Sequence, residues 1–312
     1  MRRGCIYFFY DKDGIVDDYV IYFLKNFKKF CEKIIIVVNG NLTKAGQYAL
    51  SEIGEVLVRE NKGLDAEAYK FALNYHGFDY YKQFDELVLC NFTVFGPIFP
   101  LDKMFSDMSQ KECDWWGLYK WYTSAFIDYQ HIPSFFVVYR KKLLQSADFK
   151  AYWDSLSEIK DYADSVKEHE QRQTPYYDNL GYKVSTWIDH NKYKDYWNFH
   201  WPLYCADDLL IKEKCPFVKR RTYFVENGYY IYPKQVNNIS KFLANETSYD
   251  TNLITKNIIR TQAFAKSSIK RRLKKSIYNF LGKVLPNNTK LQNKVRKYNI
   301  LSEDDFLELF GN

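Results

Sequence analysis

The chain has 312 residues, which is enough for about two structural units and for a sizeable buried core. Aromatic residues make up 19% of the sequence and there are only 13 glycines and 8 prolines, so wholly disordered and collagen-like chains are excluded. The formal net charge is +7, and the longest apolar runs, Cys5–Tyr10 and Ile34–Val38, are far shorter than the roughly 20 residues of a membrane-spanning helix.

The first 91 residues alternate buried strands with helices. Short apolar runs predict strands at Cys5–Tyr10, Lys33–Val38, Glu55–Arg59 and Glu86–Cys90. Helical spacing of apolar residues predicts helices at Val16–Phe30, Leu42–Ile53 and Ala66–Tyr75, the last beginning near Asp65 as its cap. Continuous apolar strands that alternate with helices indicate an α/β fold, a mostly parallel sheet with helices on both faces.

In the following 100 residues, the predicted strands and helices alternate less regularly. Strands are expected at Asp114–Leu118, Phe135–Arg140 and Tyr182–Ile188. Helices are expected at Lys141–Leu156 and Ala163–Asn179. Residues 190–255 are aromatic and rich in loop formers, and their elements stay unassigned.

Four polar turns follow the first four predicted strands. They are Asp11–Gly14, Asn39–Gly40, Asn61–Asp65 and Asn91–Gly96. Because the carboxyl ends of parallel strands meet at one edge of the sheet, where α/β proteins bind ligands, we expect these turns to form one site. The glycine motifs of P-loop ATPases and Rossmann dehydrogenases are absent from the sequence, so neither class is favoured.

Cysteine usage predicts a reducing environment. The six cysteines form no CxxC pair and lie at no zinc-finger spacing from a histidine, so we expect free thiols and no structural zinc. The first residues also lack the pattern of a secretory signal peptide. The expected location is therefore the cytoplasm.

The positive charge is concentrated near the end of the chain. Residues 256–298 hold 13 lysines and arginines and no acidic residue, the last 14 residues hold four acids and no base, and the rest has a net charge of −2. Apolar residues at helical spacing over Ile269–Val284 predict a basic amphipathic helix, and Leu301–Phe310 predicts a short acidic one. Residues 265–285 suit an anionic membrane surface, and the alternative is docking on the protein's own core. The near-neutral body argues against binding to nucleic acid.

Several segments together resemble the rhamnan synthesis protein F family, bacterial GT-A-type glycosyltransferases of surface polysaccharide synthesis. The segments that carry the resemblance are Tyr10-Asp-Lys-Asp-Gly-Ile-Val-Asp-Asp18, Ile35-Ile-Val-Val-Asn-Gly40, Val58-Arg-Glu-Asn-Lys-Gly-Leu-Asp65, Asp85-Glu-Leu-Val-Leu-Cys-Asn91, Phe95-Gly-Pro97, Trp116-Gly117, Ile132-Pro-Ser-Phe-Phe136 and Lys214-Cys-Pro-Phe-Val-Lys219. The resemblance covers about residues 4–262 and leaves the basic tail outside. It implies a GT-A-like (Rossmann-like) domain over 1–255, with a nucleotide-binding part over 1–118, an acceptor part over 119–255, and a separate tail over 256–312.

The resemblance also implies where the nucleotide-sugar donor binds. The loops after the first strands cradle the nucleotide in such enzymes, which assigns nucleotide binding to Asp11, Asn39, Asn61, Gly63, Asp65 and Asn91. Asparagine and aspartate side chains can hydrogen-bond a pyrimidine or a ribose, and glycine lets a ligand approach the backbone closely. An ordinary turn at Asn39 and a helix cap at Asp65 are the structural alternatives.

The sequence departs from the family at its metal position. GT-A enzymes usually place an aspartate after the fourth strand to hold a divalent metal, and here Phe92 stands in that position between Asn91 and Thr93. Three outcomes stay open. Asn91 and Thr93 hold Mg²⁺ or Mn²⁺ weakly, lysine or arginine replaces the metal on the phosphates, or the activity is lost.

The general base is also assigned by resemblance. Related inverting enzymes carry a carboxylate at the start of a late helix, followed about 11 residues later by glycine and an aromatic residue. Glu170, with Gly181-Tyr182 behind it, fits that spacing, and Glu168 and Asp164 are rivals. His131 and Ser134 precede the Phe135 strand and are expected on the acceptor side, with local capping as the alternative.

The resulting hypothesis is an inverting glycosyltransferase that takes its sugar, with rhamnose as a candidate, from a nucleotide-sugar. The expected acceptor is a lipid-linked or polysaccharide glycan at the inner face of the cell membrane, to which the tail attaches the protein peripherally. The alternative function is a catalytically inactive nucleotide-sugar-binding or scaffold protein, and Phe92 is the reason to consider it.

Overall fold

The protein is described by a computed structural model that covers residues 1–124, 127–224, 232–261, 277, 278 and 281. The chain divides into two compact units, Met1–Trp201 and Pro202–Asn312. The domain boundaries expected from the sequence, after residues 118 and 255, stay predictions.

Seven strands of the first unit form one sheet. The strands of the chain are β1 (Arg3–Tyr10), β2 (Lys33–Asn39), β3 (Glu55–Arg59), β4 (Glu86–Asn91), β5 (Val94–Phe95), β6 (Trp115–Gly117), β7 (Trp121–Ser124), β8 (Ile127–His131), β9 (Phe136–Arg140), β10 (Val184–Thr186) and β11 (Val218–Lys219). The sheet has the order β10-β6-β9-β4-β1-β2-β3, and β7 pairs with β8 in a separate antiparallel hairpin. In the large sheet β9 runs antiparallel to both of its neighbours and the other pairs are parallel.

Helices connect and cover these strands. They are α1 (Asp18–Phe27), α2 (Lys44–Ser51), α3 (Leu64–His76), α4 (Phe78–Tyr81), α5 (Asp102–Ser109), α6 (Lys141–Leu144), α7 (Ala147–Asp154), α8 (Tyr162–Ser165), α9 (Gln171–Asn179), α10 (Trp201–Tyr204), α11 (Ala206–Ile211), α12 (Pro233–Glu246) and α13 (Asn252–Thr261). A π-helix (Val166–Glu170) joins α8 to α9, and the 3₁₀ helices are His190–Phe199 and Arg220–Tyr223.

The α/β architecture predicted from the sequence is confirmed, with strands and helices alternating through β4 as expected. Two predicted helices are wrong in detail. The helix expected over Lys141–Leu156 is two helices, because the hydroxyl of Ser146 caps a new helix by accepting the Phe149 N–H. The helix expected over Ala163–Asn179 contains the five-residue π turn, which periodicity alone does not reveal.

Both faces of the sheet are buried. Ile6 and Phe8 of β1 pack on one face with α3 and α7, whereas Tyr7 faces Phe23 of α1, whose ring centroid lies 5.3 Å away. This alternation along a single strand is the period-2 pattern of a sheet with helices on both sides. Trp115 and Trp116 are fully buried on opposite faces, so they belong to the core.

The second unit has a smaller helical core. Buried apolar side chains of α11, α12 and α13 are Leu209, Leu210, Val236, Ile239, Leu243, Ile254 and Ile258. Two polar contacts accompany them: Asn238 donates to Asp207 at 2.6 Å, and Arg220 donates to Asn257 at 3.0 Å. The helices expected at Ile269–Val284 and Leu301–Phe310 lie outside the described residues, apart from residues 277, 278 and 281.

All six cysteines are free and buried. Among the described residues, no helix combines the length and the apolar character that crossing a bilayer requires.

A buried ion cluster fixes the amino edge of the sheet. Glu86, the first residue of β4, is 1% exposed and accepts from Arg3 at 2.6 Å and from Arg140 at 3.3 Å. Arg3 and Arg140 are its register partners on β1 and β9, so the cluster ties three adjacent strands together. A buried charge that loses its counter-charge is costly, because neither water nor another ion replaces it.

We predict that Glu86→Gln destabilises the protein by about 3 kcal/mol, since two partly buried guanidinium groups lose their carboxylate. Urea unfolding of the purified variant measures the change. Glu60→Gln is the matched control, because the Glu60 side chain is 79% exposed and its ion pair with Lys62 is 3.8 Å long. Equal stabilities for the two variants would contradict the structural role of Glu86.

Candidate active site

The carboxyl edge of the sheet brings the candidate residues together. The parallel strands β1, β2, β3 and β4 end there, and Ser134 lies at the same edge because β9 starts there at Phe136 and runs the opposite way. The hairpin strand β8 ends at His131, three residues before Ser134. The last residue of the π-helix, Glu170, completes the group, as its contacts with Ser134 demonstrate.

Asp65 lies at the centre of this group and is buried. Its Oδ2 accepts from the Asn91 amide at 2.9 Å and lies 2.6 Å from the hydroxyl oxygen of Ser134. Its Oδ1 accepts from the Ala66 N–H at 3.0 Å and from the Ser165 hydroxyl at 3.3 Å. Both carboxylate oxygens are therefore engaged by donors of the protein itself.

Asp65 lies inside the first turn of α3 and is not the cap residue expected from the sequence. The sequence suggested Asp65 as the cap of the helix, but α3 begins at Leu64 and its cap residue is Gly63, with φ of +67°. Asp65 instead lies in the first turn of α3, where a carboxylate is favoured by the helix dipole. From this turn its side chain reaches the end of β4 and the segment before β9.

Glu170 is held by two donors of one residue. Its Oε1 accepts from the Ser134 N–H at 2.8 Å and from the Ser134 hydroxyl at 2.7 Å, and its side chain is 16% exposed. Its Oε2 lies 3.6 Å from Nε2 of His131. Burial by itself would raise the pKa of Glu170, but the interactions with His131 and then with Ser134 outweigh it and lower the pKa to about 2. Glu170 is therefore a fixed and ionised carboxylate at neutral pH.

Two histidines flank Glu170. His131 is buried, and its Nδ1 has no hydrogen-bond partner among the described residues. His169 lies in the π-helix beside Glu170, and Nδ1 of its ring is 2.8 Å from the hydroxyl of Tyr152. Burial lowers the pKa of His169, which favours its neutral form next to the two carboxylates.

Asn91 and Thr93 form a closed turn. The Asn91 Oδ1 accepts from the Thr93 N–H at 3.1 Å and from the Thr93 hydroxyl at 2.6 Å, while its amide nitrogen faces Asp65. Phe92, between them, packs edge-on against Phe8 with a centroid distance of 5.6 Å. The described residues contain no group of three or more His, Cys, Asp or Glu side chains arranged around a common metal position.

This arrangement does not fit a divalent metal ion. The Asn91 oxygen that would be a ligand already takes two hydrogen bonds, and the Thr93 hydroxyl is directed at that oxygen. Both oxygens of the neighbouring carboxylate, Asp65, also accept donors from the protein. Mg²⁺ and Mn²⁺ require several free oxygen ligands, so we derive no reaction step through a metal.

Asn39 ends β2 and has an unsatisfied acceptor. Its amide nitrogen donates to the carbonyl of Lys62 at 3.2 Å and to that of Leu64 at 3.5 Å. Its Oδ1 is buried, and none of the residues that the structure describes hydrogen-bonds to it. Because the nitrogen is fixed by two carbonyls, Asn39 presents an acceptor to any ligand that reaches it.

The other sequence candidates lie in the neighbouring loops. The Asp11 Oδ1 closes its own turn by accepting from the N–H groups of Asp13 at 3.0 Å and Ile15 at 3.1 Å. Asn61 is exposed in the loop after β3. Gly63 is required by its positive φ and by the Glu67 side chain, because a Cβ at Gly63 would lie 2.0 Å from the Glu67 Cδ.

Three residues of the site were not predicted from the sequence. Ser165 donates to Asp65, Tyr69 donates to the carbonyl of Ser134 at 3.2 Å, and His169 lies beside Glu170. Ser165 and His169 are four residues apart, a spacing that places side chains on one face of a helix and that could have marked them. Nothing in the sequence distinguishes Tyr69 from the other tyrosines.

Comparison with solved structures finds likenesses at low sequence identity. The inositol-1-phosphate CTP transferase from T. maritima is 15% identical over 59% of this chain and 84% of its own, with a TM-score of 0.36. A glycosyltransferase of Streptococcus pneumoniae is 12% identical over 69% of this chain and 50% of its own, with a TM-score of 0.34. Glucosyl-3-phosphoglycerate synthase from Mycobacterium tuberculosis, in complex with Mn²⁺, UDP and phosphoglyceric acid, is 10% identical over 45% of this chain and 56% of its own, with a TM-score of 0.32. The chain thus spans about half the length of the Streptococcus pneumoniae and Mycobacterium tuberculosis enzymes.

Comparison with curated proteins finds no match. The family model for rhamnan synthesis protein F matches residues 34–310. The match includes the basic tail and does not include β1, which corrects the range of 4–262 expected from the sequence segments. Since one family model covers most of the protein, the chain belongs to the rhamnan synthesis protein F family.

Proposed function

We propose that the protein is a glycosyltransferase that moves a sugar from a nucleotide-sugar to a glycan acceptor in surface polysaccharide synthesis. The observation that carries the proposal is Glu170, an ionised and partly exposed carboxylate fixed by Ser134 at the carboxyl edge of the sheet. Family membership supports the role in polysaccharide synthesis.

The proposed reaction uses Glu170 as the general base and inverts the anomeric carbon. The acceptor hydroxyl gives its proton to Glu170 while its oxygen attacks that carbon. The bond from the anomeric carbon to the phosphate oxygen breaks, and its electron pair leaves with the nucleoside diphosphate. Because Glu170 is held through the backbone and the side chain of Ser134, it is oriented before the acceptor binds.

Asn39 supports a proposed preference of the donor site for uracil or thymine over cytosine. Its Oδ1 is buried and accepts from none of the described residues, so a nucleobase that reaches it would have to supply a donor. The N3–H of uracil or thymine is a donor, whereas N3 of cytosine is an acceptor. The proposed donors are therefore uridine or thymidine diphosphate sugars, with rhamnose as the candidate sugar. Lys12 and Lys62, which are exposed in the loops after β1 and β3, are the proposed cations for the diphosphate.

The second candidate function is a nucleotide-sugar-binding scaffold without turnover. It is favoured by Phe92, which occupies the position of the usual metal-binding aspartate and packs against Phe8, Phe9 and Tyr10. Such a protein would bind a nucleotide-sugar at the same edge and release no nucleoside diphosphate.

We predict that Glu170→Gln lowers turnover of a sugar nucleotide by about 10²–10⁴-fold, because the amide cannot accept the proton. Donor affinity is expected to stay nearly unchanged, since Glu170 faces the acceptor in this proposal. Release of nucleoside diphosphate and calorimetric binding measure the two quantities. Glu168→Gln is the matched control: Glu168 is two residues away in the same π-helix and pairs with Lys167 at 2.9 Å. If Glu170→Gln keeps more than about a third of the turnover, Glu170 is not the base.

The basic tail supplies a further part of the proposal, contact with an anionic membrane surface. A lipid-linked acceptor lies at the inner face of the membrane, and residues 265–285 combine apolar and basic residues at helical spacing. This contact would place the protein peripherally on the cytoplasmic side.

We expect deletion of residues 265–312 to abolish binding to vesicles of phosphatidylglycerol and phosphatidylcholine. Sedimentation of the full chain and the truncated chain with these vesicles at 50 and 500 mM salt is the measurement, and release of the full chain at high salt is the expected electrostatic signature. Vesicles of phosphatidylcholine alone are the control. Equal sedimentation of both proteins with the anionic vesicles would show that the tail does not bind the membrane surface.

A further inference from the structure

We propose that Asp65 is a positioning residue for Glu170 and that it acts through the hydroxyl of Ser134. The proposal rests on the base role proposed for Glu170 and deepens it. It replaces the expectation that Asp65 binds the nucleotide, because both oxygens of Asp65 already accept donors from the protein.

The hydroxyl of Ser134 lies between two carboxylates. Its Oγ is 2.6 Å from Oδ2 of Asp65 and 2.7 Å from Oε1 of Glu170. Both distances are those of a hydroxyl hydrogen-bonded to a carboxylate. Asp65 and Ser134 are buried, so solvent does not compete for these contacts.

The Ser134 hydroxyl has one hydrogen but lies at hydrogen-bond distance from two carboxylates. A serine hydroxyl has one hydrogen and can donate it to one acceptor at a time. When both carboxylates are ionised, either Asp65 or Glu170 therefore faces the lone pairs of Ser134 at hydrogen-bond distance. With both carboxylates ionised, there is one hydrogen too few for Ser134 to donate to each of them.

The transfer reaction supplies that proton. The acceptor O–H bond breaks and a Glu170 O–H bond forms, so that Glu170 becomes neutral. The Ser134 hydroxyl then turns from Glu170 to Asp65, which still carries its charge, without breaking its own O–H bond. Asp65 thus makes proton uptake by Glu170 more favourable than it would be next to Ser134 alone.

The surroundings hold the Asp65 carboxylate in place. Asn91, the Ala66 N–H and Ser165 donate to it, whichever carboxylate the Ser134 hydroxyl faces. The titratable groups near the pair are His131 on β8, His169 in the π-helix, and Tyr69 of α3, whose hydroxyl donates to the Ser134 carbonyl. The carbonyl contact fixes the Ser134 backbone and leaves its side-chain hydroxyl able to rotate.

The test is a double-mutant cycle on turnover with Asp65→Asn, Ser134→Ala and the combination. The probes are UDP-glucose and dTDP-rhamnose, with kcat and KM measured as release of UDP or dTDP at pH 5–9. We expect Asp65→Asn to lower kcat about tenfold in the presence of Ser134 and less than twofold when Ser134 is alanine, with KM unchanged. Ser134→Thr, which keeps the hydroxyl, is expected to recover most of the kcat lost in Ser134→Ala.

Three results would overturn the proposal. One is the same loss from Asp65→Asn in both backgrounds, and another is a rise in KM with kcat unchanged, which is the signature of a nucleotide ligand. The third is a Ser134→Ala variant that keeps more than half of the wild-type kcat at every pH. If Asp65→Asn does not fold, the Ser134 variants still test whether Asp65 acts on Glu170 through the Ser134 hydroxyl.

Urea unfolding separates this proposal from the proposed function. Asp65→Asn and Glu170→Gln are expected to be coupled by at least fivefold in the unfolding equilibrium constant when Ser134 is present, and uncoupled in Ser134→Ala. If the wild-type protein turns over neither sugar nucleotide but the coupling is found, the proposed glycosyltransferase function is wrong and the action of Asp65 through Ser134 is supported. If turnover is found without the coupling, only the action of Asp65 through Ser134 is wrong.

Discussion

The carboxylate of Asp65 ties together four segments that are far apart in the sequence. It accepts from the first turn of α3, from the end of β4 through Asn91 and from α8 through Ser165, and it contacts the hydroxyl of Ser134 in the segment before β9. A buried charge is stable only when such donors surround it. The position of Glu170 depends on this arrangement, because Ser134 contacts both carboxylates. The geometry of the candidate active site is thus set by one buried carboxyl group and the donors around it.

Much of the fold could be predicted from the sequence. Strands β1 to β4 are continuous apolar runs bounded by polar turns, and their alternation with helices indicates a mostly parallel sheet. The antiparallel direction of β9 was not predictable, because a short apolar run carries no information on its direction. That direction matters for the site, since it brings Ser134 to the carboxyl edge.

The site was predictable as a location but not as a network. Polar residues after buried strands were expected at one edge of the sheet, where the structure brings them together; the resemblance suggested Glu170, and the position before the Phe135 strand suggested His131 and Ser134. The contacts among them depend on a π turn, which shifts Glu170 relative to a regular helix and has no periodic signature. The roles of Ser165 and Tyr69 depend on distances between elements that no local pattern encodes.

Phe92 links the fold to the chemistry. Its ring packs against three aromatic residues of β1, and the adjacent Asn91 and Thr93 hydrogen-bond to each other. The segment after β4 is thereby built as a packed turn rather than as a metal ligand loop. In this account, lysine side chains and the unsatisfied Asn39 acceptor hold the donor, and the carboxylates act on the acceptor hydroxyl.

The most direct test of the account is a thermal-shift measurement on the full-length protein with UDP-glucose, dTDP-rhamnose and CDP-glucose, each in EDTA and in Mn²⁺. A ligand at 100 times its dissociation constant stabilises a protein by about 2.7 kcal/mol, which is a clear shift. We expect a thermal shift in EDTA with a uridine or thymidine sugar nucleotide and a smaller shift with the cytidine compound. The absence of a shift with all three compounds, with and without Mn²⁺, would contradict nucleotide-sugar binding at this edge of the sheet.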